Sequence, residues 1–269
     1  MGHSFFIARR PLVFAHRGGS ALAPENTIVA FDEGLSRGSD GLELDVHLSR
    51  DGRVVVHHDR TLERTTDATG RVADHAADEL ARVDAGYSFG PDQGYPFRGR
   101  GIGVPTLAEV LARYRGAQII IELKMNVPEL ARATLDVVRS AGALDRVCLG
   151  SSGSRVLREV RRLEPAVATS AAREEVRWAL YRSWCRWPLA SDARVGYQGY
   201  QVPEWAGRTR VVSRRFVDMA HRAGLGVQVW TVDAESDARR LLEWGVDGLI
   251  TDRPDVIVPL VRSYRAPGA

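Results

Sequence analysis

Residues 118–141 read QIIIELKMNVPELARATLDVVRSA and form a complete strand–helix unit. The apolar, β-branched run Gln118–Leu123 has the length of a buried strand, and Pro128–Ala141 follows with the spacing of an amphipathic helix. Where the strand ends, Glu122 and Lys124 stand two residues apart, so their side chains project from one face. The unit therefore predicts a buried strand that carries a carboxylate and an ammonium at its carboxyl end.

Similar units follow one another along the whole chain. Eight β–α units within about 250 residues are typical of a (β/α)8 TIM barrel. A doubly wound open sheet is the alternative, but no GxGxxG motif follows the first strand to favour it. The predicted strands are Leu12–Ala15, Gly41–Leu48, Gln118–Leu123, Val147–Gly150, Ala166–Thr169, Gly199–Val202, Gly226–Trp230 and Gly248–Thr251. The predicted helices are Thr27–Arg37, Leu107–Tyr114, Pro128–Ala141, Arg155–Leu163, Glu174–Trp187, Arg215–Ala223, Ala234–Trp244 and Asp255–Tyr264.

Two stretches exceed what a minimal barrel needs. His58–Gly103 is long, polar and rich in glycine, and it predicts a small insertion after the second strand at about residues 60–104. Ala190–Arg210 is rich in Gly, Tyr and Trp and is hard to assign, and the contribution of the wider stretch 171–212 to the barrel stays open. We expect residues 1–269 to form a single barrel domain that carries the insertion.

Composition excludes several classes of protein. The hydrophobic fraction of 44% and the charged fraction of 26% are ordinary for a soluble globular chain. A formal net charge of +3 is too small to indicate a nucleic-acid partner. Cys148 and Cys185 are too few for a disulfide framework or a cysteine zinc site. Neither a secretory signal nor an apolar run of ~20 residues is present, so a cytoplasmic protein is expected, with its oligomeric state open.

Carboxylates collect at the predicted ends of neighbouring strands. Glu43 and Asp45 share one face of the second strand, and Glu122 would face them from the third. Like charges ~4 Å apart repel by about 4 kcal/mol at an effective dielectric constant of about 20, so the cluster requires protons or cations. Ligands that are all oxygen suit Mg²⁺ or Ca²⁺, and neighbouring histidines leave Mn²⁺ possible. The cluster therefore predicts a site for one divalent cation.

Histidines and basic side chains stand at the same strand ends. His16 ends the first strand, whereas strand alternation cannot decide which of His57 and His58 points toward the carboxylates. Two histidines beside a metal site suit a general acid and a general base near pH 7. Arg17 and Lys124, the only lysine among 37 Lys and Arg residues, would hold an anion such as a phosphate.

One long stretch and several shorter ones resemble a known family. Residues 16–59, HRGGSALAPENTIVAFDEGLSRGSDGLELDVHLSRDGRVVVHHD, strongly resemble the glycerophosphodiester phosphodiesterases. Further matches are RTTDATG, VPTLAEVL, IELK, VWTVD and GVDGLITDRPD. The resemblance covers about Leu12–Leu149 and Arg214–Asp255. Between these stretches, residues 151–153 lack the phenylalanine expected there, and Ala171–Arg210 aligns poorly.

The resemblance implies a TIM barrel with a small insertion after the second strand, and a metal-dependent phosphodiesterase. From the residues alone, Trp230 at the end of the seventh predicted strand could contact a small substrate group, but a lone aromatic belongs to the core more often than to a site. The roles implied by the resemblance are metal ligation by Glu43, Asp45 and Glu122, acid–base chemistry by His16 and His58, phosphate binding by Arg17 and Lys124, support of the site by Glu25 and Asn26, and contact with glycerol by Trp230.

The expected reaction is hydrolysis of a glycerophosphodiester to glycerol 3-phosphate and an alcohol such as choline or ethanolamine. Which histidine is the acid, which alcohol is preferred and which cation is bound stay open. A non-catalytic phosphodiester-binding protein is an alternative, but the complete set of His, Glu, Asp and Lys side chains argues against it.

A lysophospholipase D acting at a membrane surface is the nearest alternative, because residues 176–187 combine aromatic and basic side chains. On a helix, Val176, Leu180, Trp184 and Trp187 form an apolar stripe with arginines beside it, as in helices that make weak contact with anionic membranes. An ordinary barrel helix that packs its stripe inward has the same pattern.

Overall fold

The structure is a computed structural model and describes residues 5, 6, 8, 10–185 and 195–264. Eleven strands and nine α-helices lie within these residues. The strands are β1 Leu12–His16, β2 Gly41–Leu48, β3 Val54–Val56, β4 Gln118–Leu123, β5 Val147–Gly150, β6 Ala168–Thr169, β7 Gly199–Pro203, β8 Trp205–Ala206, β9 Thr209–Arg210, β10 Gly226–Trp230 and β11 Gly248–Thr251. The helices are α1 Ile28–Ser36, α2 Ala77–Leu80, α3 Leu107–Arg113, α4 Pro128–Ser140, α5 Ser154–Leu163, α6 Arg173–Cys185, α7 Arg214–Arg222, α8 Glu235–Glu243 and α9 Pro254–Ser263.

Eight parallel strands form the barrel, in the order β6-β5-β4-β2-β1-β11-β10-β7. The circle closes through a parallel bridge between Ser170, just after β6, and Gly199 of β7. The amide of Ala171 donates to the Gly199 carbonyl oxygen at 2.9 Å across this seam. The TIM barrel predicted from the alternating pattern is therefore confirmed.

Each of the eight predicted strands and eight predicted helices overlaps an observed element, with ends that differ by at most two residues within the described chain. Local capping explains why the helix starts are readable from the sequence. Thr27, Thr106 and Ser213 precede α1, α3 and α7, and each side chain accepts a hydrogen bond from the amide three residues later. Arg186 and Trp187, placed at the end of the sixth predicted helix, lie outside the described residues.

The inward face of the barrel changes from apolar to charged along each strand, and this change positions the site. Phe14 is completely buried inside the barrel, and His16 follows two residues later on the same face. Ile120 and Glu122 repeat the change on β4. Residues 5–6, two phenylalanines, are buried in the same apolar cluster as Phe14 and Ile120. Apolar packing therefore fills the amino end of the barrel, and polar side chains converge at its carboxyl end.

The segment between β3 and α3 forms a small structure beside the barrel. It contains α2 and an apolar cluster in which Leu62, Val72 and Leu80 are fully buried or nearly so. The assignment of the whole chain to one domain with an insertion at about residues 60–104 stays a prediction. None of the described helices has the length and apolar character needed to cross a membrane.

Candidate active site

The carboxyl ends of the barrel strands surround a cavity of about 540 Å³. Eight of the ten residues named from the sequence line it, and the other two lie directly behind its wall. The eight are His16, Arg17, Glu43, Asp45, His58, Glu122, Lys124 and Trp230.

Three carboxylates meet on one wall of this cavity. Glu43, Asp45 and Glu122 each offer one oxygen, and these atoms lie within 4.8 Å of one another. Register explains the meeting, because Asp45 of β2 pairs directly with Glu122 of β4. Burial raises the pKa of Glu43, and the neighbouring Asp45 carboxylate raises it further. Three carboxylate oxygens this close together, two of them from buried side chains, fit a hard divalent cation.

Two cationic side chains border the carboxylates. Lys124 Nζ lies 3.2 Å from Asp45 Oδ1 and 3.7 Å from Glu122 Oε1. Burial alone would lower the pKa of Lys124, but these carboxylates outweigh burial and raise it, so the ammonium stays charged. Arg17 Nε lies 3.4 Å from Asp45 Oδ2 and makes no hydrogen bond in the described structure. These cations lie where they can meet the anionic oxygens of a phosphate beside the carboxylates.

The turn after β1 fixes the backbone of Arg17. Arg17 and Gly18 both have a positive φ, of 50° and 89°. Glycine adopts this conformation at low cost, which suits position 18. A Cβ atom on Gly18 would lie 2.6 Å from the backbone carbonyl carbon of Ala30 in α1, so this position has no room for a side chain. The turn directs the Arg17 amide to Glu43 Oε2, at 3.1 Å.

His16 faces the carboxylates and is oriented from behind. Its Nδ1 lies 2.7 Å from Asp252 Oδ1, and its Nε2 lies 3.8 Å from Glu43 Oε2. Burial would lower the pKa of His16, but Glu43 and Asp252 together raise it to about 9. Asp252 also accepts a hydrogen bond from the Ser20 hydroxyl. The pairing with Asp252 leaves Nε2 as the nitrogen that faces the cavity.

His58 supplies a second imidazole, and His57 does not. His58 lines the cavity, and its Nδ1 lies 2.6 Å from Asp59 Oδ1. His57 is buried, and its Nε2 lies 3.1 Å from the Thr61 carbonyl oxygen. Burial lowers the pKa of His57 and lowers that of His47 to about 4, so both rings are neutral near pH 7. His47 Nε2 lies 3.1 Å from the His58 carbonyl oxygen and can hold that backbone in place.

Glu25 and Asn26 lie behind the cavity wall. Glu25 Oε1 accepts a hydrogen bond from Arg17 Nη1 at 2.9 Å. Asn26 Nδ2 donates to Asp45 Oδ2 at 2.9 Å, and its Oδ1 accepts from the Asp45 amide at 3.2 Å. Both side chains can therefore orient residues of the site without lining the cavity.

Comparison with known proteins identifies the family. The sequence model of the glycerophosphoryl diester phosphodiesterase family matches residues 16–256, which include every residue of the site described above. This chain belongs to that family. It is accordingly an enzyme of the phosphodiesterase class that acts on glycerophosphodiesters.

Individual relatives cover nearly the whole phosphodiesterase chain. A glycerophosphodiester phosphodiesterase from Caldanaerobacter subterraneus is 33% identical over 260 residues, which are 94% of this chain and 98% of that protein. A solved phosphodiesterase from Oleispira antarctica, in complex with the product sn-glycerol-3-phosphate, is 28% identical with a TM-score of 0.75, covering 94% of this chain and 98% of that one. A Mycobacterium tuberculosis glycerophosphoryl diester phosphodiesterase domain has a TM-score of 0.81 at 22% identity, covers 95% of this chain and 100% of its own, and shows the shared fold alone.

Apolar side chains also line the phosphodiesterase cavity. Trp230 ends β10 at the rim and is 41% exposed, so its ring belongs to the cavity rather than to the core. Val176, Val202, Pro203 and Val211 also line the cavity, and so does Arg173. The cavity therefore combines its charged groups with apolar lining.

Sequence reasoning missed the carboxylate partners of the two histidines. Asp252 follows β11 directly, and β11 pairs with β1, so the rule that sites form at strand ends could have found it. Asp59 directly follows His58 in the sequence, but it was assigned no role. Gln201 was also missed; it lines the cavity and donates to Gln228 Oε1 at 2.9 Å, but no motif singles it out.

Proposed function

We propose that this phosphodiesterase cleaves glycerophosphodiesters to glycerol 3-phosphate and an alcohol, using one divalent cation held by Glu43, Asp45 and Glu122. The single observation that supports this is the meeting of three carboxylates, two histidines and two cationic side chains in one cavity. Mg²⁺ or Ca²⁺ fits the all-oxygen ligand set best, with Mn²⁺ as an alternative. Such a cation supplies a Lewis acid for the phosphate oxygens.

The protein side chains divide the remaining work. Arg17 and Lys124 bind the phosphate and stabilise the charge that grows on its oxygens in the transition state. One of His16 and His58 takes the proton of the attacking oxygen, and the other donates a proton to the departing alkoxide. The attacking oxygen belongs to water or to the 2-hydroxyl of the glycerol. Trp230 packs against the glycerol at the rim of the cavity.

The identity of the broken bond tests this assignment. With glycerophosphocholine and a divalent cation, we expect glycerol 3-phosphate and choline, because the glycerol side of the phosphate stays bound while the alcohol departs. Phosphorus NMR distinguishes glycerol 3-phosphate from phosphocholine in one spectrum. Phosphocholine as the phosphorus-containing product would contradict the proposed orientation of the substrate.

A lysophospholipid at an anionic membrane surface is a second candidate substrate, supported by the outer face of α6. Trp178, Tyr181 and Trp184 are 66%, 48% and 51% exposed and form one aromatic row. Their neighbouring ring centroids lie 6.3 and 5.7 Å apart. Exposed Arg177 and Arg182 stand on the same helix. Aromatic rings with arginines beside them are typical of surfaces that rest at the interface of an anionic bilayer.

The predicted stripe on this helix is divided between two faces. Val176 and Leu180 pack toward the barrel, as an ordinary barrel helix requires, whereas Trp184 points outward with the aromatic row. Trp187, the last member of the stripe, lies outside the described residues. Because Val176 also lines the cavity, this one helix carries both a residue of the cavity and the exposed aromatic row.

Sedimentation with lipid vesicles tests the membrane contact. We expect the protein to sediment with vesicles rich in phosphatidylglycerol, and the triple variant Trp178→Ala, Tyr181→Ala, Trp184→Ala to lose most of this binding. Hydrolysis of water-soluble glycerophosphocholine should stay unchanged, because none of the three side chains lines the cavity. Tyr87→Ala is the control, since that tyrosine is 39% exposed but lies outside α6. A native chain that does not sediment would exclude the membrane contact.

A further inference from the structure

We propose that Arg64 is a positioning residue that joins His58 to Arg17, a role that rests on the proposed functions of those two residues. Arg64 does not line the cavity and touches no reacting group. Its guanidinium instead joins two carboxylates that each hold a residue of the site. Arg64 thereby connects the acid–base side of the cavity with its phosphate-binding side.

The contacts run in an unbroken line from one side to the other. Arg64 Nη1 and Nη2 donate to Glu25 Oε2 and Oε1 at 2.8 and 2.7 Å, and its Nε donates to Asp59 Oδ2. The other oxygen of Asp59 pairs with Nδ1 of His58. Glu25 Oε1 also accepts from Nη1 of Arg17. Direct hydrogen bonds therefore link five side chains, in which acidic and basic groups alternate after the imidazole. Their order is His58, Asp59, Arg64, Glu25 and Arg17.

Arginine suits both connections because of the geometry of its donors. A guanidinium holds its donors in a rigid planar fork, so two of them fit one carboxylate while Nε serves another. A lysine ammonium would keep the charge, but it lacks the planar fork that fixes the orientation of both carboxylates at once. This difference makes Arg64→Lys an informative variant beside Arg64→Ala.

The two carboxylates that Arg64 contacts stay ionised near neutral pH. Burial would raise the pKa of Glu25, but Arg64 and Arg17 outweigh burial and lower it to about 2. The pKa of Asp59 is likewise lowered to about 2, because Arg64 and His58 outweigh its partial burial. Both carboxylates are therefore fully charged acceptors near neutral pH. Although Arg64 is half exposed, the Glu25 side chain is only 15% exposed, so that pair is sheltered from screening by salt.

Loss of Arg64 would leave Asp59 and Glu25 each with one partner instead of two. The His58 ring and the Arg17 side chain would then sample more orientations, and fewer of these would suit catalysis. Removal of such outer partners typically costs about 10–100-fold in activity. We expect that loss in kcat/KM for Arg64→Ala, and an intermediate loss for Arg64→Lys.

Chemical rescue separates a positioning role from a merely structural one. The half-exposed Arg64 site should admit guanidinium ion from solution, so guanidinium well below denaturing concentrations should restore part of the kcat of Arg64→Ala, whereas sodium chloride at equal ionic strength should not. Arg60→Ala is the matched control, because Arg60 lies in the same segment, is exposed and has no side-chain partner among the described residues. It should keep native activity and show no response to guanidinium.

The outcomes distinguish this role from the proposed function itself. No turnover by the native chain would contradict the proposed function. Native turnover with Arg64→Ala and Arg64→Lys indistinguishable from it would overturn the positioning role alone. A loss in Arg64→Ala that guanidinium does not relieve, together with an equal loss in Arg60→Ala, would also overturn it. Addition of Glu25→Gln or Asp59→Asn to Arg64→Ala should cost less than either does alone, as coupled residues require.

Discussion

Turnover of glycerophosphocholine should fall by about 10²–10⁴-fold when either His16 or His58 is replaced by alanine, because positioned general acids and bases contribute that much. Each ring lines the cavity and is oriented through Nδ1 by its own carboxylate, Asp252 or Asp59. Removal of one ring leaves the three carboxylates in place, so metal affinity should change little. Steady-state kinetics beside calorimetric metal titration checks both expectations.

A control and a second substrate sharpen this comparison. His221→Ala should leave turnover unchanged, because His221 lies on α7 and pairs with Asp247 before β11, away from the cavity. A glycerophosphodiester with a p-nitrophenolate leaving group needs no proton for departure. The variant that lacks the general acid should therefore recover most with this substrate, which assigns the two roles. Retention of most activity by His16→Ala or His58→Ala, with metal still bound, would make the assignment wrong.

Much of the barrel was predictable because each strand and helix carries its own local signal. Buried parallel strands are continuous apolar runs, as in Gln118–Leu123, and helix starts are marked by caps such as Thr27 and Thr106. The β8–β9 hairpin has no such signal. Its strands are only two residues long, and Arg210 of β9 stacks on Trp205 and on the distant Trp244.

The wall of three carboxylates was predictable for a different reason. The i, i+2 rule placed Glu43 and Asp45 on one face, and parallel register then brought Glu122 opposite Asp45. The choice between His57 and His58 could not be made from alternation, because β3 ends at Val56 and the loop that follows has no strand periodicity. The family resemblance selected His58, and the structure places that residue in the cavity.

Side-chain pairs that join distant parts of the chain were the hardest to predict, although the rule that sites form at strand ends marks Asp252 as a candidate. Asp252 lies 236 positions from His16 in the sequence, and Arg64 lies 39 positions from Glu25. Only the three-dimensional fold brings such pairs together. Within helix α6, local periodicity was misleading. It grouped Trp184 with Val176 and Leu180 in one apolar stripe, but the Trp184 ring is exposed on the outer face of the helix.

Glu43→Gln should abolish metal binding while it preserves the metal-free fold. Burial and the Asp45 carboxylate raise the pKa of Glu43 from 4.5 to about 8 in the metal-free protein. Stability due to its proton is therefore fully present below pH 4.5 and is lost as the pH rises to about 8. Glutamine has the shape of the protonated carboxyl, so the variant should lack this pH dependence. Thermal unfolding of the metal-free proteins across this pH range checks the expectation.

The same variant should respond differently to the cation. A cation at 100 times its dissociation constant stabilises a folded protein by about 2.7 kcal/mol, which raises Tm by roughly 5–10 °C in a chain of this size. We expect that rise in the native protein and none in Glu43→Gln. Turnover of the variant should fall by more than the about 10–100-fold typical of losing an outer-shell partner. A native-like Tm rise in Glu43→Gln would contradict ligation by this residue.

The most direct test is a titration of the EDTA-treated protein with Mg²⁺, Ca²⁺ or Mn²⁺. Bound ion per chain and release of glycerol 3-phosphate from glycerophosphocholine are measured in the same samples. We predict no turnover before the cation is added, then turnover that rises with occupancy and saturates at one ion per chain, with neither binding nor turnover in Glu43→Gln. Full turnover in EDTA, or turnover that does not follow occupancy, would contradict a catalytic cation at Glu43, Asp45 and Glu122.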